Sequence, residues 1–161
     1  MIIRMTTFAD AILYFQQLAT SHVDISSYFF GDSERLQNNV KSGLKLPVLY
    51  QEPYQPVSVI DAYSDNHLGN VSHSIVIYDK ADSKKFSDED AAYASCEQIA
   101  KELIGKLLKD FHDGTLNIDL SSFKYGQAED QIWGATRLIG CRLDIVYQRP
   151  ERFIYDEDKW T

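Results

Sequence analysis

Gly31-Asp32-Ser33 is the one short block in this chain that could hold a nucleophile. A serine hydroxyl attacks a carbonyl only with a base to take its proton and donors to hold the oxyanion. The histidines are His22, His67, His73 and His112, and no histidine follows His112. Asp32 or Ser33 also suits a helix N-cap, with Glu34 in the first turn facing the positive end of the helix dipole. The cap explains the block without any further residue. The segment is therefore read as a helix start, and an esterase using Ser33 is the lesser alternative.

Other constellations are weaker. Phosphate-binding glycine loops and the HExxH pattern are missing. The two cysteines, Cys96 and Cys141, form no CxxC and sit among apolar residues, so both are read as small core residues. His67 and His73 flank a loop with Asp61 and Asp65 nearby, but no ligand spacing on one rigid element joins them. Both are expected to be exposed hairpin histidines. The acids of "SDED" at Ser87–Asp90 suit a helix start better than a cation site. No catalytic residue, metal ligand or cofactor is assigned.

The elements that must position any site follow from periodicity. Phe8, Ala11, Ile12, Phe15, Leu18 and Ala19 recur at helical spacing after Thr7, with Asp10 completing a capping box. A short helix runs from Ser33 to Ser42 before Gly43. "LPVLYQEP", "PVSVIDAYS" and "NVSHSIVIYDK" read as three strands, with "DNHLGN" as a hairpin loop and Lys80–Lys85 as a charged connection. Ala92, Cys96, Ile99, Leu103, Leu107 and Phe111 trace one long helix, capped by Ser87 and closed by Gly114. "LNIDLSSFKY" alternates as a strand, "GQAED" is a polar turn, and "IWGATRLIGCRLDIVYQRP" is a long strand with room for a bulge near Gly134 or Gly140. The expected fold is α+β: an antiparallel or mixed sheet of about five strands, packed by one long helix and an N-terminal helix.

The 161 residues fit a single domain, 1–161, with 151–161 as an extended tail. With 16 Lys+Arg against 24 Asp+Glu, the net charge is -8, which offers no general basic footprint for nucleic acid. The opening "MIIRMTTFADAI" lacks a signal-length apolar run, and no stretch reaches membrane-spanning length. A cytoplasmic protein, or one assembled into a virion from the cytoplasm, is expected. Aromatic residues enrich interface cores, so Tyr28, Phe29, Phe30, Phe153, Tyr155 and Trp160 are candidate partner contacts. Sheet edges pair readily, which adds the hairpin around His67.

Gly31-Asp32-Ser33 resembles the nucleophile block of the GDS-type lipases and esterases. That family's late Asp-x-x-His and alternating strand–helix order are missing here. The order of elements carries a different resemblance. An N-terminal helix, the three-strand meander, the long helix "SDEDAAYASCEQIAKELIGKLLKDF" and a closing pair ending in "GCRLDIVYQ" resemble the tail-terminator and tail-completion proteins of tailed phages. The short helix Ser33–Ser42 departs from the simplest pattern. The resemblance implies a structural protein without catalysis. It would form rings of itself, often hexamers, and contact tail or head–tail joining proteins. No functional residue carries over. The competing expectation is a small-ligand-binding α+β domain, with its pocket between the sheet and the long helix.

Overall fold

A computed structural model describes residues 5–53, 58–60, 67–82, 84–133, 136–151 and 157–159. The fold is α+β, as the element order predicts. Helix α1 spans Phe8–Ser21, followed by strand β1 (Ser27–Phe30), helix α2 (Ser33–Lys41), and strands β2 (Val48–Gln51), β3 (Ser58–Ile60) and β4 (Leu68–Asp82). Helix α3 (Phe86–His112) and strands β5 (Lys124–Trp133) and β6 (Thr136–Pro150) complete it. The strand order is β1-β2-β4-β6-β5, with β3 on the β2 side of β4. All pairings are antiparallel except β1 with β2, which makes the sheet mixed.

Strands β4 and β6 form the spine, paired without interruption from Leu68↔Pro150 to Asp82↔Thr136. Alternation gives each strand two faces. Val71, Ile75 and Ile77 of β4, with Cys141, Leu143, Ile145 and Tyr147 of β6, meet the buried faces of α1 and α3. Val76 and Tyr78 of β4, with Leu138 of β6, point the other way and meet α2. Leu36 is the one buried residue of α2. Its burial is worth about 1.5–3 kcal/mol and holds that helix to the sheet.

Local chemistry sets the helix ends. Asp10 N–H donates to Thr7 Oγ1 at 3.1 Å and Thr7 N–H to Asp10 Oδ2 at 2.8 Å, the expected capping box. Asp32 caps α2, accepting from Arg35 N–H at 2.8 Å. Helix α3 has 27 residues, about 40 Å at ~1.5 Å per residue, and crosses the sheet. It starts earlier than expected. Lys85, not Ser87, is the N-cap, and it makes no side-chain cap bond. The turn Lys85 N–H to Asp82 O, at 2.9 Å, feeds directly into the helix.

Several strand limits differ from expectation. Ser27–Phe30 forms β1, a strand that four residues are too short to announce by alternation. Half of the expected hairpin loop "DNHLGN" is strand: Leu68, Gly69 and Asn70 pair with β3, β4 continues through Lys80 to Asp82, and Asp65 and Asn66 lie outside the described residues. "LNIDLSSFKY" is mostly not strand: Ile118 makes one isolated bridge to Tyr147, and Leu120–Ser122 is a 3-10 turn. "GQAED" lies inside β5 rather than in a turn. The expected break near Gly140 does not occur; the irregularity falls between Gln131 and Trp133. Gly134 lies outside the described residues.

Gly140 serves close approach instead. A Cβ built there would sit 1.9 Å from the carbonyl oxygen of Ile77 on β4.

Candidate functional site

The sheet ends in β5, which pairs with β6 on one side and with no described strand on the other. Edge strands present unpaired N–H and C=O groups that another chain can use. Natural edges are usually short, bulged, charged or marked with proline; β5 carries Lys124, Glu129 and Asp130 and an irregularity between Gln131 and Trp133. β5 has ten residues and no proline, and its register is regular from Lys124 to Gln131. Tyr125, Gly126, Gln127 and Glu129 are exposed. Tyr125 is an exposed large hydrophobic residue of the strand, at 50%.

Helix α3 packs over β4 and β6, and a groove of about 440 Å³ opens between it and β5. Tyr93, Glu97, Tyr125, Gln127 and Cys141 are among its walls. The row Tyr93, Glu97, Lys101 on α3 runs alongside Tyr125, Gln127 and Glu129, which share one face of β5. Glu97 pairs with Lys101 at 3.1 Å, and Arg137 lies 3.7 Å from Glu129 and 3.9 Å from Glu89. Burial, then Glu129 and Glu89, raise the Tyr93 phenol above its usual range. Burial likewise pushes the Cys141 thiol up and the Cys96 thiol up to about 12. Both cysteines are buried and, with these shifts, remain thiols at neutral pH.

The opposite end of the sheet is β1, and it holds the aromatic run expected to contact partners. Tyr28 and Phe30 face the α1 side, and Phe29 faces the α2 side. All three are half-buried and packed within their own chain. Tyr28 Oη donates to Gln51 Oε1 at 2.6 Å, and burial raises its pKa. Phe29 lies 6.2 Å from Tyr50, and Phe30 meets Phe8 of α1 edge-on at 5.4 Å. His67 stands at the start of β4, where its carbonyl accepts from Glu151 N–H at 2.9 Å. Phe153, Tyr155 and Trp160 lie outside the described residues.

His73 is not an exposed hairpin histidine. Alternation puts it on the α1–α3 face, 1% exposed, 5.2 Å from the Tyr147 ring and 5.6 Å from Phe15. The Gln51 amide N–H donates to its Nδ1 at 3.3 Å, which continues the chain from Tyr28. Burial, with Arg149 nearby, lowers its pKa to about 4. His73 belongs to the buried core, and Asp61 and Asp65 fall outside the described residues.

Two polar clusters cross long stretches of sequence. Tyr14 Oη donates to Asp110 Oδ2 at 2.7 Å, tying α1 to α3, and Lys106 also pairs with Asp110. On the α2 face, Arg142 binds Glu52 through two bonds of 2.8 and 2.9 Å, and also reaches Asp144 and Ser74. His22, Asp24 and Glu102 bring three ligand atoms within 4.8 Å of one another. The hydrogen bonds oppose a metal there. Asp24 N–H donates to His22 Nδ1 at 3.2 Å, so Nε2 carries the proton that reaches Glu102 Oε2 at 2.9 Å. A metal on Nε2 would turn Nδ1 into a donor facing another donor.

The Gly-Asp-Ser block is a helix start. Gly31 has φ +150, Asp32 is the cap and Ser33 is the first residue of α2. Ser33 lies on the α2 side of the sheet, whereas His73 is buried on the other. Ser33→Ala is expected to change stability by less than about 0.5 kcal/mol, whereas Asp32→Ala costs about 1 kcal/mol. Urea midpoints of the two variants check this order.

Compared with protein-family models and with curated proteins, the chain matches none of them. Its chemistry therefore rests on these residues alone. No helix among the described residues is long and apolar enough to cross a membrane. Sequence reading missed Tyr93, Tyr125, Gln127 and Glu129. The signal was the alternation of "KYGQAE", which polar composition disguised as a turn.

Proposed function

We propose that this chain is a structural protein of a phage or prophage tail, of the tail-terminator or tail-completion type. It acts by joining copies of itself into a ring that meets tail or head–tail joining proteins, without catalysis. The carrying observation is the long, regular edge strand β5, unpaired by any described strand and flanked by a groove. The order of helix, meander, long helix and closing strand pair supports the specific type, as an analogy of fold.

The filled space beneath α3 gives less support to a ligand-binding domain. Cys96, Ile99, Leu103 and Leu107 pack there directly on β4 and β6. The clefts lie at the margins instead. One, of about 680 Å³, is an open cleft at the far end of β4, lined by Asp79, Lys80, Asp82 and Asp88 together with Val40 and Ala92.

Negative-stain images test the proposal. Concentrated protein is expected to show closed rings, and rings seated on the ends of tail tubes from the same phage. Fields without rings at every concentration, with bare tube ends, overturn it.

A further inference from the structure

The two ends of the sheet are different edges, and their directions fit each other. Strand β5 runs opposite to β6, β6 opposite to β4, β4 opposite to β2, and β2 parallel to β1. A second copy set beside β5 in the same orientation would therefore present β1 antiparallel to it. Antiparallel pairing satisfies the exposed backbone groups of both edges.

The helices also fit. Helix α3 leaves β5 uncovered on the α1–α3 face, which creates the groove beside Tyr125. Helix α1 packs at the other end of the sheet, against β1 and β2 on that same face. In a joined sheet, α1 of the second copy would lie next to the groove. It would bring the Phe8–Phe30 pair, whose Phe8 is 37% exposed, against Tyr125, which is 50% exposed. Each end thus carries an exposed aromatic residue on the face that the other end leaves open. Joining them removes apolar surface from water at both.

We infer that β5 of one copy docks antiparallel against β1 of a second copy, with Tyr125 packing on its Phe8–Phe30 pair. The inference rests on the assembly reading above and specifies its joint. The contact is heterologous, because each copy gives one edge and receives the other. Such a contact repeats around an axis and can close a ring. It also leaves the two faces of the ring different, as a ring between a tube and a head requires.

Two single substitutions separate this joint from its alternatives. Tyr125→Glu blocks the β5 end, and Phe8→Glu blocks the β1 end. Both positions are partly exposed, and an acid at position 8 sits in the favourable first turn of α1. Far-UV circular dichroism checks that each variant is folded, and Gln127→Lys is a second block on the exposed row of β5. Light scattering on a sizing column reads the mass.

Each variant alone is expected to fall to the single-chain mass of 18.4 kDa. Their equal mixture is expected to form a two-chain species and stop there, because one intact β5 meets one intact β1. If Phe8→Glu alone stays paired while Tyr125→Glu does not, β5 joins to β5 and the inference is overturned. If both variants assemble like the wild type, the joint lies elsewhere and the inference fails, while the assembly reading stands. If the wild type itself never exceeds one chain, both fail.

Discussion

Gly140→Ala is expected to destabilise this protein by about 3 kcal/mol or more, roughly a fifth to a half of the stability of an ordinary domain. Gly140 lies in the middle of the spine, paired with Tyr78, where β6 runs unbroken along β4. An added Cβ would stand 1.9 Å from the Ile77 carbonyl oxygen and 3.0 Å from the Tyr78 ring. The first contact is with backbone, which cannot rotate away as a side chain does. The strands must separate locally, and the neighbouring ladder bonds weaken with them. The core on both faces depends on that pairing, since Ile77 and Cys141 face α3 while Tyr78 and Leu138 face α2. Urea unfolding of Gly140→Ala, beside Gly105→Ala as a control with open space around it, measures the effect. A loss under about 1 kcal/mol would show that the spine can relax around the methyl group.

The second large effect is acid destabilisation through His73. In the unfolded chain its pKa is the ordinary 6.5, whereas in the fold burial lowers it to about 4. The unfolded state therefore binds more protons between these values, and stability falls as pH drops through that window. Above about pH 6.5 the neutral ring costs nothing, and below about pH 4 the loss is complete. The shift corresponds to about 3 kcal/mol. Geometry explains the sign: protonated Nδ1 would face the Gln51 amide N–H, donor against donor, between the Phe15 and Tyr147 rings. His73→Asn keeps an acceptor near Nδ1 and cannot charge. It is expected to be less stable than wild type at pH 7 because of the lost ring, yet to lose less between pH 6.5 and 4. Urea midpoints at pH 7, 5.5 and 4 for both proteins give the comparison. Equal pH slopes would mean that His73 does not carry the effect.

Much of the fold was legible because its signals are local or periodic. The Thr7–Asp10 box, the Asp32 cap and the apolar stripe from Ala92 to Leu107 each act within one or two turns of helix. The two errors in the closing segment have separate causes. "LNIDLSSFKY" alternates, but Asp119 accepts from Ser121 N–H at 3.0 Å and turns the chain before the strand begins. "GQAED" looks like a turn because an edge strand over an open groove buries little, so its alternation is polar against small.

The candidate site was less legible because it is made by non-local placement. Nothing in the sequence ties Tyr93 to Tyr125 or says that α3 stops short of β5. Equally, nothing in the sequence marks Tyr28 to Phe30 as half-buried against Gln51, Tyr50 and Phe8. The trio of His22, Asp24 and Glu102 is another case, since Glu102 is far away in sequence.

The central claim is self-assembly, and solution mass tests it most directly. Light scattering on a sizing column, across a hundredfold range of concentration, should show growth from 18.4 kDa toward one closed species, about 110 kDa for six copies. A mass of 18.4 kDa at every concentration would contradict the claim.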